Sequence, residues 1–366
     1  MTWQLTGRAV DALALGGLLL GGGGGGDTAD DSGSTVPVTV ADLAELDPGT
    51  RVCAVAQIGA PLIGRERVPA HELRAAVHAL AHETGAPFPA LVALEIGGQN
   101  AATAAAAARQ TGLPLLDADL MGRALPRIDQ TLLALAGGPV GPVALASPSG
   151  HVLTVREAGD EDVEGLTRAL LPPLGGRAAA ALYPTTVGAL RSAGTAGTVR
   201  RAVDLGGALL DLRAAGASTD AGYRAGTAGT GTGIGSGTGA ASGTGSGATA
   251  QVEAALGPLG LRVVARGDVR HVERTGGRVV AAVVGADGVS RLDADTEFHH
   301  CTLDGRPVAG VPDVVGVLDA RTLHPVLVAD LRTGTDVLVY RLPVAAPWYT
   351  DAGRALIERG RVGVPA

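Results

Sequence analysis

The chain has 366 residues, 46% of them hydrophobic and 18% charged, with a formal net charge of −7. These values are typical of a globular protein of about two domains, and no basic stripe interleaved with aromatic residues is present, so we expect no nucleic-acid partner. All 29 basic residues are arginine, and the lack of lysine excludes a PLP aldimine and a Walker-type nucleotide site.

The first predicted element is a helix over residues 6–20, TGRAVDALALGGLLL, with Thr6 as its N-cap. Its apolar stretch is interrupted by Asp11 and is followed by no signal-peptide cleavage pattern. No uninterrupted apolar segment reaches the ~20 residues of a membrane span. The two cysteines, Cys53 and Cys301, are too few for a disulfide framework. We therefore expect a cytoplasmic protein that does not enter a membrane.

Strands and helices alternate over residues 1–165. Strands are predicted at 36–40, 51–61, 90–98 and 113–126, and helices at 69–84 and 100–110. Such alternation predicts a three-layer α/β domain built on a parallel or mixed sheet. Ligands of these sheets bind at the carboxyl ends of the strands, and four polar residues lie at or just past such ends: Glu95, Asn100, Asp117 and Asp119.

The second half, residues 166–366, follows another pattern. A helical lead-in is predicted at about 195–215, and residues 226–250 are nearly all Gly, Ser, Thr and Ala, which predicts a flexible segment. Beyond this segment, short β-branched runs are separated by Gly, Asp and Pro turns. This spacing predicts a β-rich, barrel-like domain.

A run of six glycines, residues 21–26, ends at Asp27. Glycine adopts positive φ and carries no side chain, so the backbone N–H groups of such a loop can approach an anion or a planar ring. The other interpretation is an ordinary loop in a glycine-rich protein. A nucleotide site is the weaker functional version, because no clear strand precedes the run.

Asp117 and Asp119 are spaced i, i+2 in an extended segment, so their carboxylates face one side. They could hold a metal ion or divide acid and base roles, with Arg123 nearby as an anion partner. The alternative is that they lie in a loop and cap the next helix along the chain. Histidines offer weaker candidates: His71, His78 and His82 share a predicted helix and are expected on its solvated face, while a metal at FHHC (298–301), beside Glu297, would need further ligands.

Taken together, the motifs resemble the DUF917 family, which is named for S-methyl-thiohydantoin desulfurase and is often encoded beside hydantoinase/oxoprolinase proteins. The motifs occur in the family's order over most of the chain: GGGGGGD (21–27), IGAP (58–61), EIGGQN (95–100), DADLMGRALP (117–126), VPDVVGVLDA (311–320) and LPVAAPWYTDAG (342–353). The resemblance implies an α/β domain followed by a barrel-like β domain. It also implies hydrolytic release of sulfur from a hydantoin or thiohydantoin ring.

Two features depart from the family. Asp27 is usually followed there by a Pro-Tyr pair and a longer helix, whereas Thr28 and Ala29 follow it here, and ordered sequence usually occupies the place of residues 226–250. A non-catalytic partner of a hydantoinase/oxoprolinase subunit is therefore a rival hypothesis, and a degenerate member that binds nothing is a third. A homo-oligomer is compatible with all three.

Under the leading hypothesis, hydrolysis of a cyclic amide or thioamide takes place between the two domains. It requires an activated water, stabilisation of a tetrahedral intermediate and a proton for the leaving group. We assign the general base to Asp119 or Glu95, and an orienting or metal-binding role to Asp117. The substrate-binding residues are the N–H groups of Gly23, Gly24, Gly25 and Gly26, with Asp27, Asn100, Arg123 and Asp313. Whether a divalent metal takes part is left open.

Overall fold

The structure is a computed structural model that describes residues 1–26, 36–59, 71–156, 159–224 and 245–359, with side chains omitted at 217–224 and 245–246. The first sheet contains nine strands: β1 (Trp3–Leu5), β2 (Val38–Ala41), β3 (Arg51–Gly59), β4 (Ala90–Ala93), β5 (Leu115–Asp119), β6 (Val143–Ala146), β7 (Val152–Val155), β8 (Arg177–Thr186) and β9 (Thr195–Ala196). Its helices are α1 (Arg8–Gly21), α2 (Glu72–Glu83), α3 (Asn100–Thr111), α4 (Leu132–Leu135), α5 (Asp160–Leu170), α6 (Val187–Ala193) and α7 (Thr198–Arg224).

The order of strands in this sheet is β1-β2-β5-β4-β3-β8-β6-β7, and β9 pairs with β5. The four central strands β2, β5, β4 and β3 run parallel, and the outer strands are antiparallel to their neighbours. The sheet is therefore mixed, as the alternation of strands and helices predicts. Two strands that follow residue 165, β8 and β9, also belong to it.

Small apolar side chains fill both faces of the sheet. Along β3, Cys53 and Val55 join the core on one face, while Val52 and Ala54 join the core on the other. Side chains alternate between the faces of a strand, so a strand buried on both sides reads as a continuous apolar run. The result is a layer of helices on each face, which makes the domain three-layered.

Helices α1 and α7 cross at glycine. A Cβ atom built on Gly16 would lie 1.8 Å from the carbonyl oxygen of Ala202, and one built on Gly206 would lie 1.8 Å from that of Ala12. Only glycine lets the two backbones approach this closely. The apolar segment near the N-terminus is therefore a core helix. In the part of the chain that the structure describes, no helix is both long and apolar enough to cross a bilayer.

The second sheet has seven antiparallel strands in the order β14-β13-β12-β11-β10-β16-β15. Their bounds, with those of the flanking helices, are α8 (Gly245–Leu256), β10 (Arg262–Thr275), β11 (Arg278–Gly285), β12 (Gly288–Ala294), β13 (Phe298–Leu303), β14 (Arg306–Gly310), β15 (Val314–Asp319), β16 (Asp336–Leu342) and α9 (Asp351–Glu358). The sheet curls until β13 and β14 contact β15 from the other edge. It forms a half-barrel, which confirms the predicted fold class.

Three local predictions differ from the structure. The segment predicted to be flexible, 226–250, lies outside the described residues up to 244, but 245–250 form the first half of α8. Flexibility was the wrong prediction there, because Val252 and Leu256 anchor the helix in the core. The lead-in predicted at 195–215 is strand β9 followed by α7, and α7 packs on α1. The N-cap of α1 is Gly7, not Thr6.

Candidate functional site

A cleft of about 130 Å³ opens at the carboxyl ends of β3 and β4, where the two domains meet. Its walls come from six parts of the chain: the end of β3 with Gln57, the segment after β4 with Glu95 and Asn100, the glycine run at Gly25, the segment 121–128 after β5, Arg168 of α5, and Thr296 and Glu297 just before β13. The cleft lies where the parallel strands end, which is the position that an α/β sheet favours for a ligand.

Glu95 is a buried carboxyl group of this cleft with a raised pKa. Its Oε1 accepts a hydrogen bond from Asn100 Nδ2 at 2.6 Å, and its Oε2 accepts one from the backbone N–H of Leu125 at 3.0 Å. Burial is the main cause that raises the pKa of Glu95 from 4.5 to about 8. The nearby Glu297 and Asp119 raise the pKa further, whereas the two hydrogen bonds lower it in part. A carboxyl group with this pKa exchanges its proton close to neutral pH.

Asn100 positions Glu95. It is the first residue of α3, and its Oδ1 accepts a hydrogen bond from the backbone N–H of Gln57 at 2.7 Å. Its Nδ2 donates to the carbonyl oxygen of Gln57 as well as to Glu95. Both the oxygen and the nitrogen of this carboxamide are thus used in hydrogen bonds to β3 and Glu95. Asn100 is therefore less available to bind a ring than the sequence analysis expects.

Arg123 connects the two domains. Its side chain is fully buried; Nη2 makes a 3.1 Å ion pair with Glu297, and Nη1 donates to the carbonyl oxygens of Pro312 and Asp313 at 2.6 and 3.0 Å. Arg123 is absent from the lining of the cleft. A guanidinium that already donates to so many protein acceptors cannot readily bind a substrate. The contacts of Arg123 instead hold the two domains together.

Asp119 and Asp117 face elements other than the cleft. Asp119 is fully buried, and its Oδ2 accepts from the backbone N–H groups of Ile96, Met121 and Gly122 at 2.9, 3.3 and 2.6 Å. Burial raises its pKa from 3.8 to about 7. Asp117 Oδ1 accepts from the N–H of Arg200, in the first turn of α7. Asp117 therefore caps α7 and not the next helix along the chain, α4, whose N-cap is Thr131.

The glycine run separates two cavities. Gly25 lines the cleft, and Gly23, Gly24, Gly25 and Gly26 line a second cavity of about 460 Å³ beside the β10–β11 turn. The N–H of Gly24 donates to the carbonyl oxygen of Gly21 at 2.9 Å, so it is committed within the loop. A Cβ on Gly23 would lie 2.5 Å from the Phe298 ring, which shows that packing against β13 also requires glycine. Asp27 lies outside the described residues.

Asp313 is directed away from the cleft. Its Oδ2 accepts from Arg341 Nη1 at 3.0 Å, and its Oδ1 accepts from the Tyr349 hydroxyl. The arginines that do line the cleft are Arg127 and Arg168, which lie close to its opening. Arg127 makes a two-pronged ion pair with Asp129, and Arg168 pairs with Glu164 at 2.7 Å.

The histidine and cysteine candidates lie elsewhere. His71, His78 and His82 are exposed, as predicted for a solvated helix face, and Cys301 is buried in the second sheet. His300 Nδ1 lies 3.8 Å from Asp293 Oδ2. Within the described ranges, no group of three or more His, Cys, Asp or Glu side chains could hold a metal ion.

Gln57 was missed by the sequence analysis. It lies near the end of β3, its side chain is 4% exposed, and neither Oε1 nor Nε2 has a hydrogen-bond partner among the described residues. The signal was one carboxamide in an otherwise apolar strand, RVCAVAQIG. Glu297, which the sequence analysis considered only beside the histidines, is a second carboxylate of the cleft wall.

Comparison with known families bears on this arrangement. A model described as the N-terminal domain of S-Me-THD-like proteins matches residues 8–157, and one described as the C-terminal domain matches residues 158–364. The chain belongs to the S-Me-THD-like family. This membership confirms the resemblance seen in the motifs.

A solved structure has the same fold. The X-ray crystal structure of a protein from Chromobacterium violaceum aligns with a TM-score of 0.73 and 23% sequence identity, covering 100% of this S-Me-THD-like chain and 99% of the other. At this identity the likeness establishes the fold alone. Among curated proteins, none matches the chain.

Proposed function

We propose that this S-Me-THD-like protein is a hydrolase of a hydantoin- or thiohydantoin-type cyclic amide, and that Glu95 transfers the protons. The observation that carries the proposal is a buried carboxyl group with a pKa of about 8 that lines a small cleft between the domains. Of the two residues that the sequence offered as general base, Glu95 lines this cleft and Asp119 does not.

The reaction needs one group that can both accept and donate a proton. Ionised Glu95 takes a proton from water as the water oxygen bonds to the ring carbon. The protonated Glu95 then gives this proton to the leaving sulfur or nitrogen as its bond to carbon breaks. Asn100 holds Oε1 throughout, because its amide is itself fixed to the backbone of β3.

Negative charge develops on the ring during attack and requires a donor. The N–H of Gly25 makes no hydrogen bond to a described residue, and Gly25 lines the cleft. A backbone N–H in this position is the kind of donor that stabilises a tetrahedral intermediate. Gly25 adopts φ +72°, and a Cβ there would lie 2.9 Å from Gly98, so its backbone can be held in this place only as glycine.

The cleft also limits the substrate. Its volume of about 130 Å³ is below the roughly 300–1,000 Å³ of sites that hold drug-sized ligands, so it suits a single small ring. Arg127 and Arg168 also line it, but each is ion-paired with a carboxylate, Asp129 and Glu164 respectively, so neither supplies a free charge that would select an acidic substituent.

The test is turnover of hydantoin, thiohydantoin and S-methyl-thiohydantoin acids by the purified chain and by two variants. Glu95→Gln should lower kcat/KM at least about 100-fold, the usual contribution of a general acid–base group. Asp119→Asn, if folded, should retain turnover. In the wild type, kcat/KM should rise with pH toward a plateau above about 8, because the base must be ionised.

The outcomes separate the hypotheses. Loss of turnover in a folded Asp119→Asn variant, with Glu95→Gln active, would assign the base to Asp119 and contradict the proposal. No turnover by the folded wild type, together with copurification of an oxoprolinase-like subunit, would instead favour the accessory role.

A further inference from the structure

Gln57 lines the cleft, and its buried carboxamide has no hydrogen-bond partner among the described residues. The backbone of Gln57 is fixed twice, since its N–H donates to Asn100 Oδ1 and its carbonyl oxygen accepts from Asn100 Nδ2. The side chain, in contrast, has neither its donor nor its acceptor satisfied by any described residue, although it is 4% exposed.

This arrangement is costly for folding alone. A buried polar group left unsatisfied costs about 1–3 kcal/mol, and Gln57 presents a donor and an acceptor. The neighbouring residues of β3 that are buried are apolar, so an apolar side chain would fit the strand pattern better. A carboxamide beside Glu95 is explained when something in the cleft completes its hydrogen bonds.

The geometry of a carboxamide selects the ligand. Its N–H and C=O lie side by side in one plane, so they pair with a group that offers an adjacent acceptor and donor. A ring forces the N–H and C=O of an amide to the same side, whereas an open-chain secondary amide is almost always trans and points them apart. Among secondary amides, only a cyclic one can therefore form both hydrogen bonds with one carboxamide.

We propose that Gln57 is the specificity-determining residue of the cleft and that it binds the cis N–H/C=O edge of a cyclic amide through two parallel hydrogen bonds. This inference rests on the proposed function, because it concerns the same cleft. It adds a requirement that hydrolysis alone does not impose: the ring must carry an unsubstituted amide nitrogen next to a carbonyl or thiocarbonyl group.

The test measures binding rather than turnover. Isothermal titration calorimetry of the wild type is carried out with hydantoin, with 1,3-dimethylhydantoin, which lacks the N–H donor, and with open-chain N-methylacetamide, whose trans amide points its N–H and C=O apart. We expect hydantoin to bind at least 10-fold more tightly than the other two. In Gln57→Met, which keeps the length of the side chain but removes its donor and acceptor, hydantoin binding should weaken at least 10-fold, and dimethylhydantoin binding should stay the same.

A second measurement excludes a purely structural role. Gln57→Met removes two unsatisfied buried groups, so its Tm should equal or exceed that of the wild type. A lower Tm together with unchanged selectivity would overturn the inference, as would hydantoin and dimethylhydantoin binding equally to the wild type. Selective binding without turnover would support Gln57 and contradict the hydrolase proposal; turnover with unchanged selectivity in Gln57→Met would do the reverse.

Discussion

Glu95 makes the stability of the protein depend on pH in a predictable direction. In the folded chain its pKa is raised from 4.5 to about 8, with burial as the main cause. Between these two values unfolding releases a proton, so the free energy of unfolding falls as pH rises. The contribution of Glu95 is fully present below pH about 4.5 and is lost progressively up to pH about 8.

The magnitude follows from the slope of about 1.4 kcal/mol per pH unit for one proton. Over the two units from pH 5 to pH 7, Glu95 should remove roughly 3 kcal/mol of stability from the wild type. Glu95→Gln has no proton to release. Its stability relative to the wild type should therefore rise by roughly 3 kcal/mol over this range, whatever constant cost the lost hydrogen bond adds.

The assay is urea unfolding at pH 5, 6 and 7, followed by tryptophan fluorescence. Trp348 is fully buried against the core of the first sheet and donates to the carbonyl oxygen of Met121 at 2.8 Å, so it reports on the domain that holds Glu95. The difference in the free energy of unfolding between Glu95→Gln and the wild type should shift in favour of the variant by roughly 3 kcal/mol from pH 5 to pH 7. A constant difference between variant and wild type from pH 5 to 7 would refute the reasoning.

Asp293→Asn is the matched control. Burial raises the pKa of Asp293, but hydrogen bonds from Arg291 and Arg278 outweigh it, and the net pKa is lowered. Its stabilising contribution is present above the unfolded pKa and is lost only as pH falls through the lowered folded pKa. Asp293→Asn should therefore reduce stability by a similar amount at pH 5, 6 and 7.

Two further predictions concern packing and thiol chemistry. Gly206→Ala should lower the free energy of unfolding by about 3 kcal/mol or more, because its Cβ would lie 1.8 Å from the Ala12 carbonyl oxygen. Gly207→Ala, whose Cβ would have nothing within 4 Å, should be neutral or stabilising by up to about 1 kcal/mol. Equal urea midpoints for the two variants would contradict this prediction. Cys53 and Cys301 are both buried, and burial raises the pKa of both thiols, that of Cys301 to about 12. Ellman's reagent should therefore label neither thiol in the native protein and both in urea. Rapid labelling of the native protein would contradict this prediction.

The sequence located the cleft but assigned its residues only in part. Glu95 and Asn100 were predictable because a polar residue at the end of a buried parallel strand has few roles other than a ligand site or a cap. Asp117 carries the same signal, yet it caps α7, which begins about 80 residues later in the chain. Local spacing cannot show which distant N–H group will arrive beside a carboxylate.

Arg123 illustrates the same limit from the other side. In the sequence it follows two aspartates and reads as an anion partner. In the structure its Nη atoms donate to Glu297 and to carbonyl oxygens of residues 312 and 313, which belong to the second domain, and its Nε donates to the neighbouring Ala124. Gln57 had a visible signal, a lone carboxamide in an apolar strand, but only the structure shows that its side chain finds no partner among the described residues.

The cleft belongs to neither sheet alone. Thr296 and Glu297 of the second domain complete its wall beside Gly25 and the loop after β4. Arg123 bonds to Glu297 and Pro312 across the junction of the two domains. A truncated protein that preserves either sheet intact would still lack an enclosed pocket. The enclosed cleft is thus a property of how the two domains dock, and a substitution that loosens their junction would open it.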